Sequence, residues 1–591
     1  MADYRAPIAD ISHALTTVAG LDMIASTDRF GHADTETVLG VIEEVGRFMT
    51  EVIAPTNRDG DNIRAQWHDD ASVTVPESFG SAYRQYVESG FGAMPFDPEY
   101  GGAGFPWVTA LAVQEMLNSA NMAMALCPLL TQGAIDAIEA HGSLEQQQTY
   151  LPKMLTGEWA GTMNLSEPQA GSDVGAVRTK AEPAGDGSWR ITGTKIWITF
   201  GEHDMTENIV HLVLARTPGA PPGTKGISMF LVPKFLVNED GSLGERNDVT
   251  CVSIEHKLGI HGSPTCVMAY GEQGGAIGWL VGEENEGMKN MFTMMNNARL
   301  SVGLQGLAIA ERAFQDGVQY ANERRQGRAI GAPAGEQSPI IEHPDVRRLL
   351  MTQRAWIDAM RALTYSNAAF LDMAKAAADP EEARRWREKA DLYIPLSKGV
   401  CTDIAQECTS AAIQIFGGMG YVEETGVAQH YRDARILPIY EGTNGIQAAD
   451  LVGRKLGMRA GGVVFDELDL FTTIADKLAS ADQMMTSAAN LHRAIDTCRH
   501  ATEHLVQVAS QDPARLLGAS TPYMRLLGTT VCAALVAGAS LEAGTSTPHL
   551  AAKRASARFF CEQLLPAAEG WSGAVHATAD DLFAIPADAF V

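Results

Sequence analysis

The chain has 591 residues, 46% hydrophobic and 20% charged, which is longer than one core usually organises and too apolar for a disordered chain, so about two to four domains are expected. Forty-five basic against 72 acidic residues give a formal charge of −27, which repels nucleic-acid backbones and anionic membrane surfaces. The eight cysteines form no CxxC pair and no Cys/His ligand spacing, so no metal is expected and a reduced compartment fits.

The first residues, "MADYRAPIADISHAL", carry acids and lack a basic segment followed by an apolar one, so no secretory signal is read. No uninterrupted apolar run reaches the roughly 18 residues of a membrane span, and a cytoplasmic location is expected. Residues 1–157 read as an N-terminal helical domain, with apolar positions at three- and four-residue steps in "TETVLGVIEEVGRFMTEVI". The Pro/Gly cluster "PFDPEYGGAGFP" interrupts it as a loop. Residues 158–287 change to short β-rich runs, "WRITGTKIWITF", "NIVHLVLAR" and "ISMFLVPKF", and predict a small β-barrel or sandwich domain.

Helical periodicity returns over 288–460. Leu300, Leu304, Leu307, Ala310, Phe314, Val318 and Ala321 line one face of a long helix that "NERRQGR" is expected to end. A second helix is announced by Asp379 as N-cap, Pro380 in the first turn and Glu382 in the capping-box position. A third, "CTDIAQECTSAAIQIFGG", stops at Gly417. Together they predict a helical bundle. Residues 461–591 are Ala-rich and predict a helical extension without a motif of its own. The fold class expected is therefore mainly α with a central β domain.

Several stretches carry chemistry. In "MNLSEPQAGSDVGAV", small residues around Ser166, Gly171 and Ser172 let backbone N–H groups approach an anion or a flavin edge, although a plain glycine turn has the same composition. In "KIWITFG", strand alternation puts Trp197 and Thr199 on one side, a flat ring beside a hydroxyl, where a core tryptophan is the alternative. Arg324, Arg325 and Arg328 either answer a helix dipole or clamp an anion against the chain's acidic background. "ILPIYEGTNGIQ" sets one carboxylate, Glu441, between an apolar approach and loop-forming residues.

Taken together, "EYGGAG", "SEPQAGSD", "KIWIT", "FGGMGY" and "IYEGT" occur in an order and spacing that resemble the acyl-CoA dehydrogenase family over residues 30 to 456. The resemblance implies an N-terminal helical domain, a β domain and a C-terminal four-helix bundle, with FAD as cofactor. It implies that Glu441 is the catalytic base, removing the α-proton of an acyl-CoA thioester while flavin N5 takes the β-hydride, and that an apolar pocket raises the basicity of the carboxylate. Leu165, Ser166, Gly171, Ser172, Trp197 and Thr199 would line the FAD of their own subunit. Arg324, Gln326, Gln414, Gly417 and Gly418 would hold the adenine-diphosphate part of a neighbour's FAD, making a homodimer or dimer of dimers. Thr443 would touch the flavin nucleotide, and Ser172, Arg299 and Gly442 the substrate. The electron acceptor implied is an electron-transfer flavoprotein.

Gly327–Arg328, Asn296 and His261 depart from the usual pattern and leave the substrate contacts open. With the extension, they resemble a larger bacterial branch that acts on fatty acyl-CoA or 3-(methylthio)propanoyl-CoA, and the acidic composition favours the sulfur-containing substrate. An acyl-CoA oxidase on the same fold, recognisable by hydrogen peroxide, and a non-catalytic interaction protein are the rival readings.

Overall fold

Residues 4–543 and 546–591 are described by the computed structural model. The chain divides into two compact units, Glu44–Ser301 and Met1–Glu43 with Val302–Val591.

In the unit Glu44–Ser301, helix α1 (Trp107–His141) is apolar on every face and buried along nearly its whole length, as a helix without a polar stripe must be. Its φ/ψ break at Asn121 has a local cause. The Asn121 side chain accepts from Met124 N at 3.0 Å and donates to Thr56 Oγ1 at 2.8 Å, so it caps the second half of the helix from within. Helix α2 (Leu144–Thr156) starts with a capping box between Ser143 and Gln146 and ends at left-handed Gly157.

Beside a separate pair, Phe235–Val237 with Leu243–Arg246, the β region has eight strands in its main sheet: β1 (Trp159–Asn164), β2 (Lys180–Pro183), β3 (Trp189–Thr199), β4 (Asn208–Ala215), β5 (Ser228–Pro233), β6 (Val249–Ile254), β7 (Thr265–Tyr270) and β8 (Ala276–Leu280). They form one sheet in the order β6-β7-β3-β8-β5-β4-β1, with β2 paired to β3. Among the described residues β1 and β4 are the one parallel strand pair in it, accompanied by an isolated parallel bridge between Lys180 and Arg216. Every residue of β4 and β5 is buried, because both faces are covered. Val210, Leu212 and Leu214 pack with Ile135, Ile138 and Leu151 of the helices. Val213 and Ala215, pointing the other way, pack with Ile191, Ile198, Phe230 and Met268.

The other unit is helical. Helix α3 (Gly287–Glu323) enters it at Val302 and is followed by α4 (Pro344–Ala376) and α5 (Pro380–Phe416). Gly303 and Gly306 bring α3 against α5: a Cβ at either would lie 2.6 Å from the carbonyl oxygen of Ser397 or Cys401. Asp379 caps α5 by accepting from Glu381 N at 3.2 Å. Glu382 does not close the expected capping box; it accepts from Trp386 Nε1 at 3.3 Å. The second and third expected helices are one continuous α5, with Pro395 inside it. Burial of Leu392, Ile394, Leu396 and Cys401 on either side of Pro395 outweighs the missing N–H. Helix α3 stops at Glu323, so Arg324, Arg325 and Arg328 lie past its end and not in its last turn.

Beyond the short helix α6 (Asn444–Asp450) come α7 (Gly462–Ala479), α8 (Met485–Val508), α9 (Ser520–Ala543) and α10 (Pro548–Phe559). They pack on the bundle. A Cβ on Gly528 of α9 would meet Val400 of α5 at 2.4 Å, and Tyr393 donates to Glu467 at 2.7 Å. Lys553 of α10 lies 2.7 Å from Asp10 and 2.6 Å from Asp358 of α4. Arg354 bridges the same two acids at 2.7 and 3.2 Å. Ser520–Glu542 is long and apolar enough to cross a membrane by length and composition, although no uninterrupted apolar run marked it in the sequence; 67% of its apolar window is buried inside the protein, as in a core helix. All eight cysteines are buried and unpaired.

Candidate active site

The loop after β1 is built by charge. Glu167, 3% exposed, accepts from Arg178 N at 2.7 Å, Thr179 N at 3.0 Å and Thr179 Oγ1 at 2.6 Å. Lys195 of β3, wholly buried, donates to Glu167 at 2.9 Å and to the Leu165 carbonyl at 3.0 Å. Desolvation pushes the Glu167 carboxyl up, but Lys195 and the surrounding donors prevail and hold it at about 2. On the far side of the loop, Arg216 donates to the carbonyls of Gly175, Val177 and Gly223 at 2.6, 2.7 and 2.9 Å. Between these anchors Leu165 and Ser166 are half-buried, and Gly171 and Ser172 are exposed.

Trp197 sits on a β-bulge, and Thr199 is back in register opposite Thr265. Met268 pairs with Lys195 and Cys266 with Ile198, so Ile196 and Trp197 together face one residue of β7. Trp197 adopts φ +59° and is 57% exposed. The bulge frees the Ile196 N–H to donate to the Ser166 carbonyl at 3.0 Å. It also explains why sequence reasoning missed Lys195: strict alternation puts residues 195, 197 and 199 on one face, and the extra residue turns Lys195 inward while Trp197 stays out. The only advance signal was a pair of opposite charges inside two motifs of small and apolar residues. Arg299 on α3 is buried, with its guanidinium 5.9 Å from the Phe292 ring and 3.5 Å from Asn296 Oδ1. His261 is engaged in a fold contact, 2.9 Å from Asp61, whose hydrogen bond raises its pKa.

In the helical unit, Glu441 is half-buried at φ +55° and is followed by Gly442 at φ +83°. The Glu441 carbonyl accepts from Gln447 Nε2 at 3.2 Å. Thr443 caps α6 by accepting from Ile446 N at 3.3 Å. Asn444 pins the turn to α5: it accepts from Lys398 Nζ at 2.7 Å and donates to Asp403 Oδ1 at 2.7 Å and the Gly399 carbonyl at 3.1 Å. Tyr440 donates to Gln305 of α3. The carboxylate is therefore carried on a turn braced by two helices.

Arg324 and Gln326 are exposed, with Arg324 Nη2 3.4 Å from Gln326 Oε1. Gln414, Gly417 and Gly418 are exposed at the end of α5, where Gly417 takes φ +60°. Tyr320 stacks on Phe416 with centroids 4.1 Å apart, which brings these two sequence-distant sets to the same end of the bundle.

Family models match in the same order: the acyl-CoA dehydrogenase N-terminal domain over 35–158, the middle domain over 162–271, the C-terminal domain over 285–456, and the acetyl-CoA dehydrogenase C-terminal-like domain over 466–586. A 3-methylmercaptopropionyl-CoA dehydrogenase of Ruegeria pomeroyi is 45% identical, over 98% of this chain and 99% of its own. The chain belongs to the acyl-CoA dehydrogenase family. This acyl-CoA dehydrogenase is also 35% identical to a broad-specificity linear acyl-CoA dehydrogenase of Mycobacterium tuberculosis, over 96% of each chain. In fold it is similar to a Bacillus anthracis acyl-CoA dehydrogenase solved with FAD, at TM-score 0.74 and 20% identity, covering 91% of this chain and 88% of that one. The expected architecture of helical, β and helical parts is the one observed.

Proposed function

We propose that this acyl-CoA dehydrogenase oxidises the α,β bond of an acyl-CoA thioester to the trans-2-enoyl-CoA, with 3-(methylthio)propanoyl-CoA as substrate and FAD as cofactor. The observation that carries the reading is Glu441, a carboxylate on a left-handed turn that Asn444 locks to α5. Non-glycine residues keep such backbone angles where the surroundings enforce them, and functional turns are where they collect.

The residues present suit a flavin. Trp197 offers an exposed ring on a braced bulge, with Thr199 two residues on. Among the described residues the Ser166 N–H meets no protein acceptor. Arg324 and Gln326, with Gln414, Gly417 and Gly418, give an exposed polar and cationic end of the bundle suited to a diphosphate, and we assign them to the FAD of a neighbouring subunit in a homodimer or dimer of dimers. Bound FAD supplies the two-electron acceptor for the β-hydrogen. Glu441 takes the α-proton, and its backbone N–H polarises the thioester carbonyl as negative charge builds there. Gly442 leaves space for the ester beside the base, Thr443 borders the flavin nucleotide, and Ser172 and Arg299 contact the CoA ester. An electron-transfer flavoprotein in the cytoplasm takes the electrons onward.

The choice of thioether substrate rests on the 45% identity that runs from end to end of both chains. Anaerobic titration of the yellow protein with 3-(methylthio)propanoyl-CoA beside short, medium and long acyl-CoAs tests it. The thioether substrate should bleach the flavin at the lowest concentration; faster bleaching by a plain acyl-CoA reassigns the substrate. Glu441→Gln should keep FAD and lose about 10²–10⁴-fold in the rate of bleaching, and a normal rate would remove Glu441 from the mechanism.

A further inference from the structure

The buried Lys195–Glu167 pair has no part in the chemistry described so far. As a stabilising device it is poorly chosen, since desolvating two charges costs about as much as their attraction returns. Its geometry is specific, however. Glu167 is already saturated by Arg178 N, Thr179 N, Thr179 Oγ1 and Gln169 Nε2, so it does not need Lys195 for its hydrogen bonds. What only Lys195 provides is an ammonium 3.0 Å from the Leu165 carbonyl. That carbonyl belongs to the same peptide unit as the Ser166 N–H, and a cation on the oxygen strengthens the N–H as a donor. The next carbonyl, that of Ser166, is held by Ile196 N at the bulge. Two successive peptide units of the loop are thus fastened to β3 on their oxygen sides, while the Ser166 N–H has no acceptor among the described residues. Burial pulls the Lys195 ammonium down to about 8 against the opposing charge of Glu167, so it stays protonated at neutral pH.

We propose that Lys195, seated on Glu167, is a positioning residue for the flavin: it orients and polarises the Leu165–Ser166 peptide so that the Ser166 N–H serves as a charge-strengthened donor to the ring. This rests on the assignment of FAD to the Leu165–Thr199 region made above.

Lys195→Met and the charge-neutral Glu167→Gln/Lys195→Met are compared with the unmodified holoenzyme. Both variants should bind FAD at least tenfold more weakly. The flavin that remains should have a potential more negative by a tenfold change in the ratio of oxidised to reduced affinity, about 30 mV for a two-electron couple. Unchanged affinity and potential in either variant that retains native helicity overturns the proposal. A measurement on the unmodified chain decides the matter even if neither variant folds: the Ser166 amide, resolved by fragmentation after hydrogen exchange, should be protected at least tenfold by FAD. Equal exchange with and without bound FAD overturns the proposal while leaving the reaction assignment intact. If the unmodified chain binds no FAD, the functional reading fails and takes this inference with it.

Discussion

At Glu441 and Trp197 the backbone turns left-handed, although neither residue is glycine, and each such turn stores about 1–3 kcal/mol that its surroundings must supply. The resemblance made both residues legible in the sequence, but their φ angles were not, because nothing in "IYEG" or "KIWI" distinguishes a turn from a straight path. Gly442 tightens the constraint: it sits at φ +83°, and a Cβ there would lie 2.8 Å from Gln447 Nε2. Gly442→Ala should therefore lower turnover severalfold while FAD content stays near that of the parent, as judged by the ratio of flavin to protein absorbance. Asn444 was read only as a loop former, yet it receives the buried Lys398 ammonium. Asn444→Ala should cost about 1.5–3 kcal/mol, the usual worth of a hydrogen bond to a charged group, read from urea denaturation, with a matching drop in turnover as the proposed base, Glu441, loses its footing.

Among the elements, the β3 bulge shows where periodicity stops being informative. Alternation correctly paired Trp197 with Thr199, both outward of buried Ile198, and failed two residues earlier, because a bulge is a relation between two strands and leaves no mark on either alone. The helices tell a similar story. Asp379 and Gly417 were readable as the ends of α5, since caps are local chemistry. The continuity of α5 through Pro395 was not, since it depends on partners far away in sequence. The Tyr320–Phe416 stack joins the ends of α3 and α5, where the residues we propose for the nucleotide gather. Phe416→Ala should cost about 3–5 kcal/mol and should raise the FAD concentration needed for half-saturation more than it lowers turnover at saturating FAD.

For the molecule as a whole, the sequence pointed to an extension without saying what holds it. The answer is a buried charge network: Lys553 of α10 and Arg354 of α4 between Asp10 and Asp358. Such a network joins segments 195 and 344 positions apart, and no local pattern announces it. Lys553→Met leaves two buried carboxylates with one cation fewer and should destabilise the chain by about 3–5 kcal/mol, with proteolysis of residues 461–591 as an early sign. Desolvation works against ionisation of both acids, but Lys553 and Arg354 hold them below the usual carboxylate range. Glu167 is likewise brought from 4.5 to about 2. Carboxylates depressed in the folded state stabilise it above their unfolded values and lose that contribution as they protonate. Burial likewise holds His13 at about 4 and His203 and His211 at about 3, so the denaturation midpoint should begin to fall below about pH 6.5, as these histidines take up protons in the unfolded chain, and fall more steeply from about pH 4.5 to pH 2 as the carboxylates protonate; a midpoint constant through pH 3 would contradict the pairing.

The burial of every cysteine has a practical corollary. With no cysteine at the surface, and with Cys127, Cys498, Cys532 and Cys561 pushed up to about 12 by burial, almost no nucleophilic thiolate is presented to an oxidant or an alkylating dye. The folded chain is chemically silent toward maleimides and becomes reactive only as it opens, so the rate of labelling serves as a clock for its transient unfolding.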